Sequence, residues 1–244
     1  MERKIFFIVG AQRSGTTYLY TLLDQHPEVC MAKPLRPEPK YFLNKNISSE
    51  EYFNRFYTNC NSNTKILGEK STSYYESSEV AKKISYLFPN AKIIFILSNP
   101  VYRAISNYKF SVENGFESRS PEEVFLEDNI VNSTTHKTSV NPFNYLGRGE
   151  YYKFIKKYYQ YFPKKNVYII IKEEFVNNIE NIKKLYKFLN ISTDFLPTSI
   201  DKVINKSKIS VKISSEIEQK LNNYFKPYNE KLRELLGRKE EIWK

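Results

Sequence analysis

The stretch FFIVGAQRSGTTYLY, residues 6–20, is the starting point for predicting the fold of this chain. Its first four residues are apolar and end at Gly10, and Gly15 follows five residues later, ahead of an apolar pattern typical of a helix. A continuous apolar run predicts a strand that is buried on both faces of a parallel sheet. The stretch therefore predicts a strand, a glycine-bounded loop and a helix, in that order.

The loop after Gly10 has the features that an anion needs. Its glycines allow a tight turn, and the N–H groups at the start of a helix attract phosphate. The pattern G-x-x-x-x-G-K-[ST], typical of ATP and GTP sites, would require lysine where Thr16 stands. Arg13 is the nearest cation. We therefore expect the loop to hold a single 5′-phosphate with Arg13 beside its leaving side; a structural turn without a ligand is the alternative.

Composition indicates a folded α/β protein with anionic partners. The chain has 244 residues, of which 41% are hydrophobic, and its 38 Lys and Arg outnumber 27 Asp and Glu to give a net charge of +11. That excess favours a nucleotide, an acidic glycan, a nucleic acid or a membrane surface, although many basic residues serve only as solvated surface. The length fits one domain, spanning residues 1–244.

Cysteine, histidine and hydropathy patterns argue against several other classes of protein. Cys30 and Cys60 are the only cysteines and His26 and His136 the only histidines, with no metal-ligand spacing, so we expect no metal. Two cysteines define no disulfide framework, and a reduced cytoplasmic location is the simpler expectation. The sequence leaves open whether they pair. No apolar run approaches the ~20 residues that span a bilayer.

Two further apolar runs predict buried strands, at 91–97 and 166–172, and a short strand is expected within 64–77. The segment 33–42 contains three prolines and is predicted to be a loop. Helical patterns cover 16–25, 48–59, 79–88, 100–113, 121–132, 151–162, 178–190 and 214–236, with an interruption expected near Pro227 in the last. This alternation predicts an α/β fold, a mostly parallel sheet flanked by helices.

Five separated motifs carry a family resemblance. They are QRSGTTYLY (12–20), GEKSTSYYES (68–77), SNPVYRAIS (98–106), the segment 145–175 that begins YLGRGEYYKF, and YFKPYNEKLRELLG (224–237). In order and spacing they resemble the sulfotransferases that use 3′-phosphoadenosine 5′-phosphosulfate (PAPS), over nearly the whole chain. The closest similarity is to the heparan sulfate N- and 3-O-sulfotransferase branch. The resemblance implies the P-loop-like sulfotransferase fold.

The resemblance also implies the residues that bind the donor. The 5′-phosphosulfate would be held by Gly10, Gln12, Arg13, Ser14, Gly15, Thr16 and Thr17; the 3′-phosphate by Ser98, Arg103 and Ser106; and other parts of the nucleotide by Arg148, Gly149, Tyr152, Lys206 and Lys208. The family has arginine where this chain has Ser98, which places more of the 3′-phosphate binding on Ser106. Arg103 is equally well explained as a structural ion-pair partner.

Three residues would perform the chemistry that the resemblance implies. Glu38, in RPEPKYF, matches the glutamate that deprotonates the acceptor in glycan sulfotransferases, although Pro37 replaces the family's lysine. Arg13 would stabilise the departing 5′-phosphate, because a guanidinium offers a permanent charge and a fork of donors. Lys70 would neutralise the sulfate. The alternatives are a solvent-facing Glu38 and a surface pair between Lys70 and Glu69.

The resemblance thus implies a sulfotransferase that moves the sulfuryl group of PAPS to a hydroxyl or amine of a carbohydrate and releases 3′-phosphoadenosine 5′-phosphate without a metal. An acidic carbohydrate is compatible with the net charge, which does not by itself demonstrate one. Sulfation of a lipid, a small metabolite or a tyrosine is the nearest alternative, because fold similarity does not select an acceptor. A P-loop kinase is disfavoured by Thr16 and by the Ser-Asn that ends the 91–97 strand. A non-enzymatic polyanion-binding protein is the remaining alternative; no nucleic-acid motif is recognisable, and the oligomeric state is not predicted.

Overall fold

The computed structural model describes residues 3–127, 142–200 and 209–243. Its strands are β1 (Ile5–Gly10), β2 (Val29–Met31), β3 (Ile66–Lys70), β4 (Lys92–Leu97) and β5 (Val167–Ile171). Its helices are α1 (Thr16–Asp24), α2 (Ser49–Phe56), α3 (Ser78–Leu87), α4 (Pro100–Glu113), α5 (Pro121–Phe125), α6 (Tyr151–Tyr159), α7 (Lys172–Phe175), α8 (Ile179–Leu189) and α9 (Ser215–Leu235). Short 3-10 turns lie at Tyr41–Leu43, Gly147–Gly149 and Lys164–Asn166.

Internal contacts divide the chain into two compact units. Unit 1 comprises Met1–Leu97 and Lys156–Ile204, and unit 2 comprises Ser98–Ile155 and Asn205–Lys244. Each unit has its own cluster of buried apolar side chains. The expectation of one domain over the whole sequence stays a prediction.

The five strands of unit 1 form one sheet in the order β2-β3-β1-β4-β5, and every neighbouring pair is parallel. The predicted fold class, a parallel sheet flanked by helices, is confirmed. The strands β1, β3, β4 and β5 lie where their apolar runs predicted them. The edge strand β2 was not predicted, because three residues are too few to show a periodicity.

Alternate residues of β1 pack on opposite faces of the sheet. Phe6 and Ile8 belong to the buried cluster that includes residues of α1 and α8. Phe7 instead meets Phe42 at 5.5 Å and Phe88 at 6.1 Å between ring centroids, on the other face. Two-sided burial is why β1 reads as a continuous apolar run.

The connections that leave β1 and β3 cover opposite faces of the sheet. Helix α1, which follows β1, packs on the face of Phe6, whereas the segment through α3 that follows β3 ends at Phe88, on the face of Phe7. In open α/β sheets, the carboxyl ends of two such neighbouring strands border the crevice where ligands bind. The functional site is therefore expected beyond Gly10 and Lys70.

Unit 2 is built on α4, α5 and α9. Its buried cluster joins side chains of all three helices, including Ala104, Phe125 and Phe225. Helix α9 is continuous through Pro227, so the expected interruption is wrong. Helix α5 is shorter than the 121–132 that was predicted; residues 128–132 and His136 lie outside the described residues.

A disulfide joins Cys30, on β2, to Cys60, beyond α2, with 5.4 Å between their Cα atoms. It encloses the 33–42 loop and α2. The reduced state that we took as the simpler expectation is wrong for this pair, and the cytoplasmic location stays a prediction. Within the ranges described, no helix is both long and apolar enough to cross a membrane.

Candidate functional site

The loop between β1 and α1 is held tightly by backbone contacts. The N–H of Ala11 donates to the carbonyl of Ile96 on β4 (2.8 Å), and the N–H of Ser14 donates to the carbonyl of Ala11 (3.2 Å). Ser14 is fully buried. Arg13 and Gly15 both have left-handed backbones, with φ of 68° and 93°. A positive φ is uncommon for a residue with a side chain, and at Arg13 it marks a constrained turn of the type found at binding sites.

Gly15 occupies the N-cap position of α1, ahead of Thr16 and Thr17. Glycine has no side chain, so the first N–H groups of α1 are not capped by the N-cap residue, and the positive end of the helix dipole faces the loop. Lys172, at the start of α7, approaches this point: a Cβ built on Gly15 would lie 3.5 Å from its Cδ. Lys172 was not predicted from the sequence, because only the fold brings the end of β5 to the loop.

Glu38 is not a solvent-facing loop residue. Its carboxylate accepts a hydrogen bond from Nζ of Lys70 (2.8 Å), and the side chains of Lys70 and Glu38 are 4% and 15% exposed. The backbone N–H of Thr72 donates to Oε2 at 2.9 Å, and its hydroxyl lies 3.2 Å and 3.0 Å from the two oxygens. A carboxylate has about four lone pairs that can accept hydrogen bonds. Three donor groups occupy this one, which leaves about one lone pair able to take a proton from a bound molecule.

Glu69 is buried and pairs with neither Lys70 nor solvent, so the alternative of a Lys70–Glu69 surface pair is wrong. Its carboxyl group accepts hydrogen bonds from the hydroxyls of Tyr52 and Ser71, the latter at 2.6 Å. Burial raises the pKa of Glu69 to about 7, although its hydrogen bonds to Ser71, Tyr52 and Tyr74 act in the opposite direction.

In unit 2, the predicted 3′-phosphate element lies on the turn into α4. The carbonyl of Ser98 accepts a hydrogen bond from the hydroxyl of Tyr151 (2.8 Å). Ser106 is half-buried on α4, whereas Arg103 is 1% exposed and donates to the carbonyl of Tyr145. The phosphate-binding roles of Ser98, Arg103 and Ser106 stay predictions.

The GRGEYY segment contributes a second group of predicted binding residues to unit 2. Arg148 and Gly149 are buried on the 3-10 turn, and a Cβ on Gly149 would lie 2.5 Å from the ring of Phe225. Close packing therefore explains this glycine without a ligand. Tyr152, at the start of α6, packs against Tyr228 with 6.3 Å between ring centroids.

Unit 1 thus contains the loop from Gly10 to Thr17 and the pair Glu38–Lys70, at the ends of the neighbouring strands β1 and β3. Lys206 and Lys208 lie outside the described residues. In the part of the chain that the structure describes, no group of three or more His, Cys, Asp or Glu is placed to hold a metal ion.

Comparison with known proteins extends this picture. The family model for the sulfotransferase domain matches residues 3–234. The chain is 30% identical over 201 residues to the bifunctional heparan sulfate N-deacetylase/N-sulfotransferase 2 of Homo sapiens, across 78% of this chain and 22% of that protein. It is 23% identical over 252 residues to the heparan sulfate glucosamine 3-O-sulfotransferase 5 of Mus musculus, across 95% of this chain and 71% of that protein.

The chain therefore spans about a fifth of the length of its N-deacetylase/N-sulfotransferase relative. Among solved structures, it is similar to a sulfotransferase from Alicyclobacillus acidocaldarius, with a TM-score of 0.80, 25% identity and 98% of each chain covered. That likeness extends over the five-stranded sheet and the elements around it.

Proposed function

This chain belongs to the sulfotransferase domain family, and we propose that it transfers the sulfuryl group of PAPS to a hydroxyl or amine of a carbohydrate. The observation that carries the proposal is the carboxylate of Glu38, which is fixed by Lys70 and Thr72 in the same unit as an anion-binding type of loop. A fixed carboxylate provides a base and a buried ammonium provides a cation, and in-line transfer of a charged group needs both.

The donor's 5′-phosphosulfate suits the loop that follows β1. The N–H groups at the start of α1 favour an anion, and the threonine hydroxyls at its first two positions can add hydrogen bonds. Arg13 and Lys172 supply positive charge without the lysine of ATP-binding loops. The assignment of the 3′-phosphate to Ser98 and Ser106 rests on the resemblance alone.

The proposed reaction has one displacement step at sulfur. The acceptor oxygen or nitrogen attacks the sulfur atom, the bond between sulfur and the bridging oxygen of the 5′-phosphate breaks, and the acceptor's proton passes to Glu38. The electron pair of the broken bond goes to the phosphate of 3′-phosphoadenosine 5′-phosphate. Arg13 and Lys70 stabilise the charge that develops on the leaving oxygen and on the transferring group. Electrostatic stabilisation of this type is commonly the largest contribution to such a transfer.

The choice of a carbohydrate acceptor follows from the relatives and from charge. Both named relatives act, by their names, on heparan sulfate or its glucosamine. The net charge of +11 is consistent with an acidic polysaccharide, because a positive surface attracts polyanions and speeds their association. We therefore propose an acidic glycan in preference to a lipid, a small metabolite or a tyrosine.

A transfer assay with labelled donor tests this function. The protein is incubated with sulfur-labelled PAPS and either a desulfated heparan-type polysaccharide, a neutral polysaccharide or a phenol. We expect label in the acidic polysaccharide, in equal amount to the 3′-phosphoadenosine 5′-phosphate released. Glu38→Gln should reduce turnover by about a hundredfold or more with donor affinity retained, because a positioned base contributes 10²–10⁴-fold.

The matched control is Glu50→Gln, which changes an exposed glutamate of α2. It should leave turnover unchanged. Label in the phenol alone would overturn the carbohydrate acceptor, and full turnover by Glu38→Gln would overturn the base.

A further inference from the structure

Glu69 and Lys70 end β3, and successive side chains of a strand point to opposite faces of the sheet. Lys70 and Thr72 hold the carboxylate of Glu38. Glu69 and Ser71 alternate with Lys70 and Thr72 in sequence and meet each other, since the Ser71 hydroxyl donates to Oε1 of Glu69 at 2.6 Å. Neighbouring residues of one segment therefore form hydrogen bonds both with Glu38, the proposed catalytic base, and with the buried carboxyl group of Glu69.

Two hydroxyl groups connect Glu69 to the backbone just beyond Glu38. The Ser71 hydroxyl, which donates to Glu69, also accepts the N–H of Lys40 at 2.9 Å. The Tyr74 hydroxyl forms a hydrogen bond with Glu69 and accepts the N–H of Phe42 at 3.1 Å. Lys40 has a left-handed backbone, with φ of 50°, which a residue with a side chain adopts only when its surroundings hold it there.

The surroundings of Glu69 explain why its charge state matters. The Tyr52 hydroxyl donates a hydrogen bond to Glu69. The Tyr57 hydroxyl forms a hydrogen bond with that of Tyr52 and donates to the carbonyl of Gly68. The other titratable groups that interact with it are Tyr74, Tyr158 of α6 and Glu38. Burial is the main reason that its pKa is raised to about 7, and the charge of Glu38 acts in the same direction.

We propose that Glu69 is a positioning residue, whose ionised carboxylate orders the Ser71 and Tyr74 hydroxyls and thereby fixes the 40–42 backbone that holds Glu38 in place. This inference rests on the proposed function of Glu38. An ionised Glu69 is only an acceptor, so both hydroxyls direct their hydrogens to it and present lone pairs to the two N–H groups.

When Glu69 is protonated, one of its oxygens becomes a donor instead of an acceptor. A protonated carboxyl group must direct its own O–H at one of its neighbours. The hydroxyl that receives it loses its acceptor in Glu69 and is free to rotate, which weakens the hold on Lys40 or Phe42. The Glu38 loop is therefore ordered above a pH of about 7 and loosened below it.

The kinetic test compares wild-type protein with Glu69→Gln between pH 5.5 and 9. The wild-type kcat should rise with an inflection near pH 7, whereas Glu69→Gln should lack that inflection and fall about tenfold at pH 8, with KM for PAPS changed less than about twofold. Tenfold corresponds to ~1.4 kcal/mol of positioning. Tyr57→Phe is the matched control, because it removes a buried hydroxyl that touches neither Lys40 nor Phe42, and it should keep the wild-type inflection.

Amide hydrogen exchange provides a readout that does not depend on turnover. At pH 8, Glu69→Gln should speed exchange at Lys40 and Phe42, and Tyr74→Phe, which keeps the buried ring, should speed it at Phe42 alone. Unchanged exchange at both amides, or an inflection that persists in Glu69→Gln, would overturn the inference. Faster exchange in a protein whose wild type transfers no sulfuryl group would uphold the positioning role of Glu69 and refute the proposed function instead.

Discussion

Replacing Glu69 by glutamine should change how the stability of the protein depends on pH. Glu69 is fully buried, and its pKa is about 7 in the folded protein against 4.5 as the ordinary value. Between these two pH values the folded protein retains a proton that the unfolded chain has lost. Raising the pH through this window therefore favours unfolding, because the unfolded state binds fewer protons.

The magnitude follows from the two pKa values. A difference of about 2.5 units, at 1.36 kcal/mol per unit, corresponds to ~3 kcal/mol. The contribution of Glu69 to the free energy of unfolding is fully present below pH 4.5. It declines by that amount as the pH rises from 4.5 to about 7, and does not change further above that pH. Glutamine cannot ionise, so Glu69→Gln should lack the decline.

Urea unfolding at pH 4.5, 6, 7 and 8, with the disulfide kept intact, measures the effect. The free energy of unfolding of Glu69→Gln, minus that of the wild type, should rise by ~3 kcal/mol from the lowest to the highest pH. The exposed residue Glu240 provides the control, and Glu240→Gln should follow the wild-type curve. Parallel curves for Glu69→Gln and wild type would show that Glu69 has no raised pKa in the folded protein.

Three further results are expected. Gly68→Ala should lower the free energy of unfolding by ~1–3 kcal/mol in urea titrations, because its Cβ would lie 2.5 Å from Sδ of Met31; an unchanged midpoint would contradict this packing. Lys172→Ala should weaken PAPS binding about tenfold or more by calorimetry, as expected for a lost charged contact, with Lys172→Arg retaining affinity; equal affinity in both variants would remove Lys172 from the donor site. Reduction of Cys30–Cys60 should cost ~2–4 kcal/mol in the same urea titrations, while the double serine variant should be insensitive to reductant.

Much of the sheet was predictable because its strands are buried on both faces. The apolar runs of β1, β4 and β5 reflect that burial directly, and Pro100 marks the start of α4 at its first helical position. A proline within a helix is a weaker signal. Helix α9 continues through Pro227, since a long amphipathic helix with buried residues on either side of the proline is stabilised by its packing.

The sequence predicted Glu38 and Lys70 of the candidate site, but not the buried contacts of Glu69 or the approach of Lys172. The family resemblance indicated Glu38 and Lys70, and the fold brings them within 2.8 Å of each other. The burial of Glu69 could not be inferred, because its partner Tyr52 is 17 positions away on α2 and a Glu-Lys pair more often lies at the surface. The approach of Lys172 to Gly15 similarly depends on how the strands are ordered in the sheet.

The loop between β1 and α1 is proposed to bind the 5′-phosphosulfate of PAPS and not the phosphates of ATP. Calorimetric titration with 3′-phosphoadenosine 5′-phosphate, 5′-AMP and ATP with magnesium tests this proposal. We expect tight binding of the nucleotide that has both the 3′- and 5′-phosphates, with much weaker binding of 5′-AMP and of ATP with magnesium. A preference for ATP with magnesium would overturn the proposed donor, despite Thr16 where the nucleotide-binding pattern has lysine.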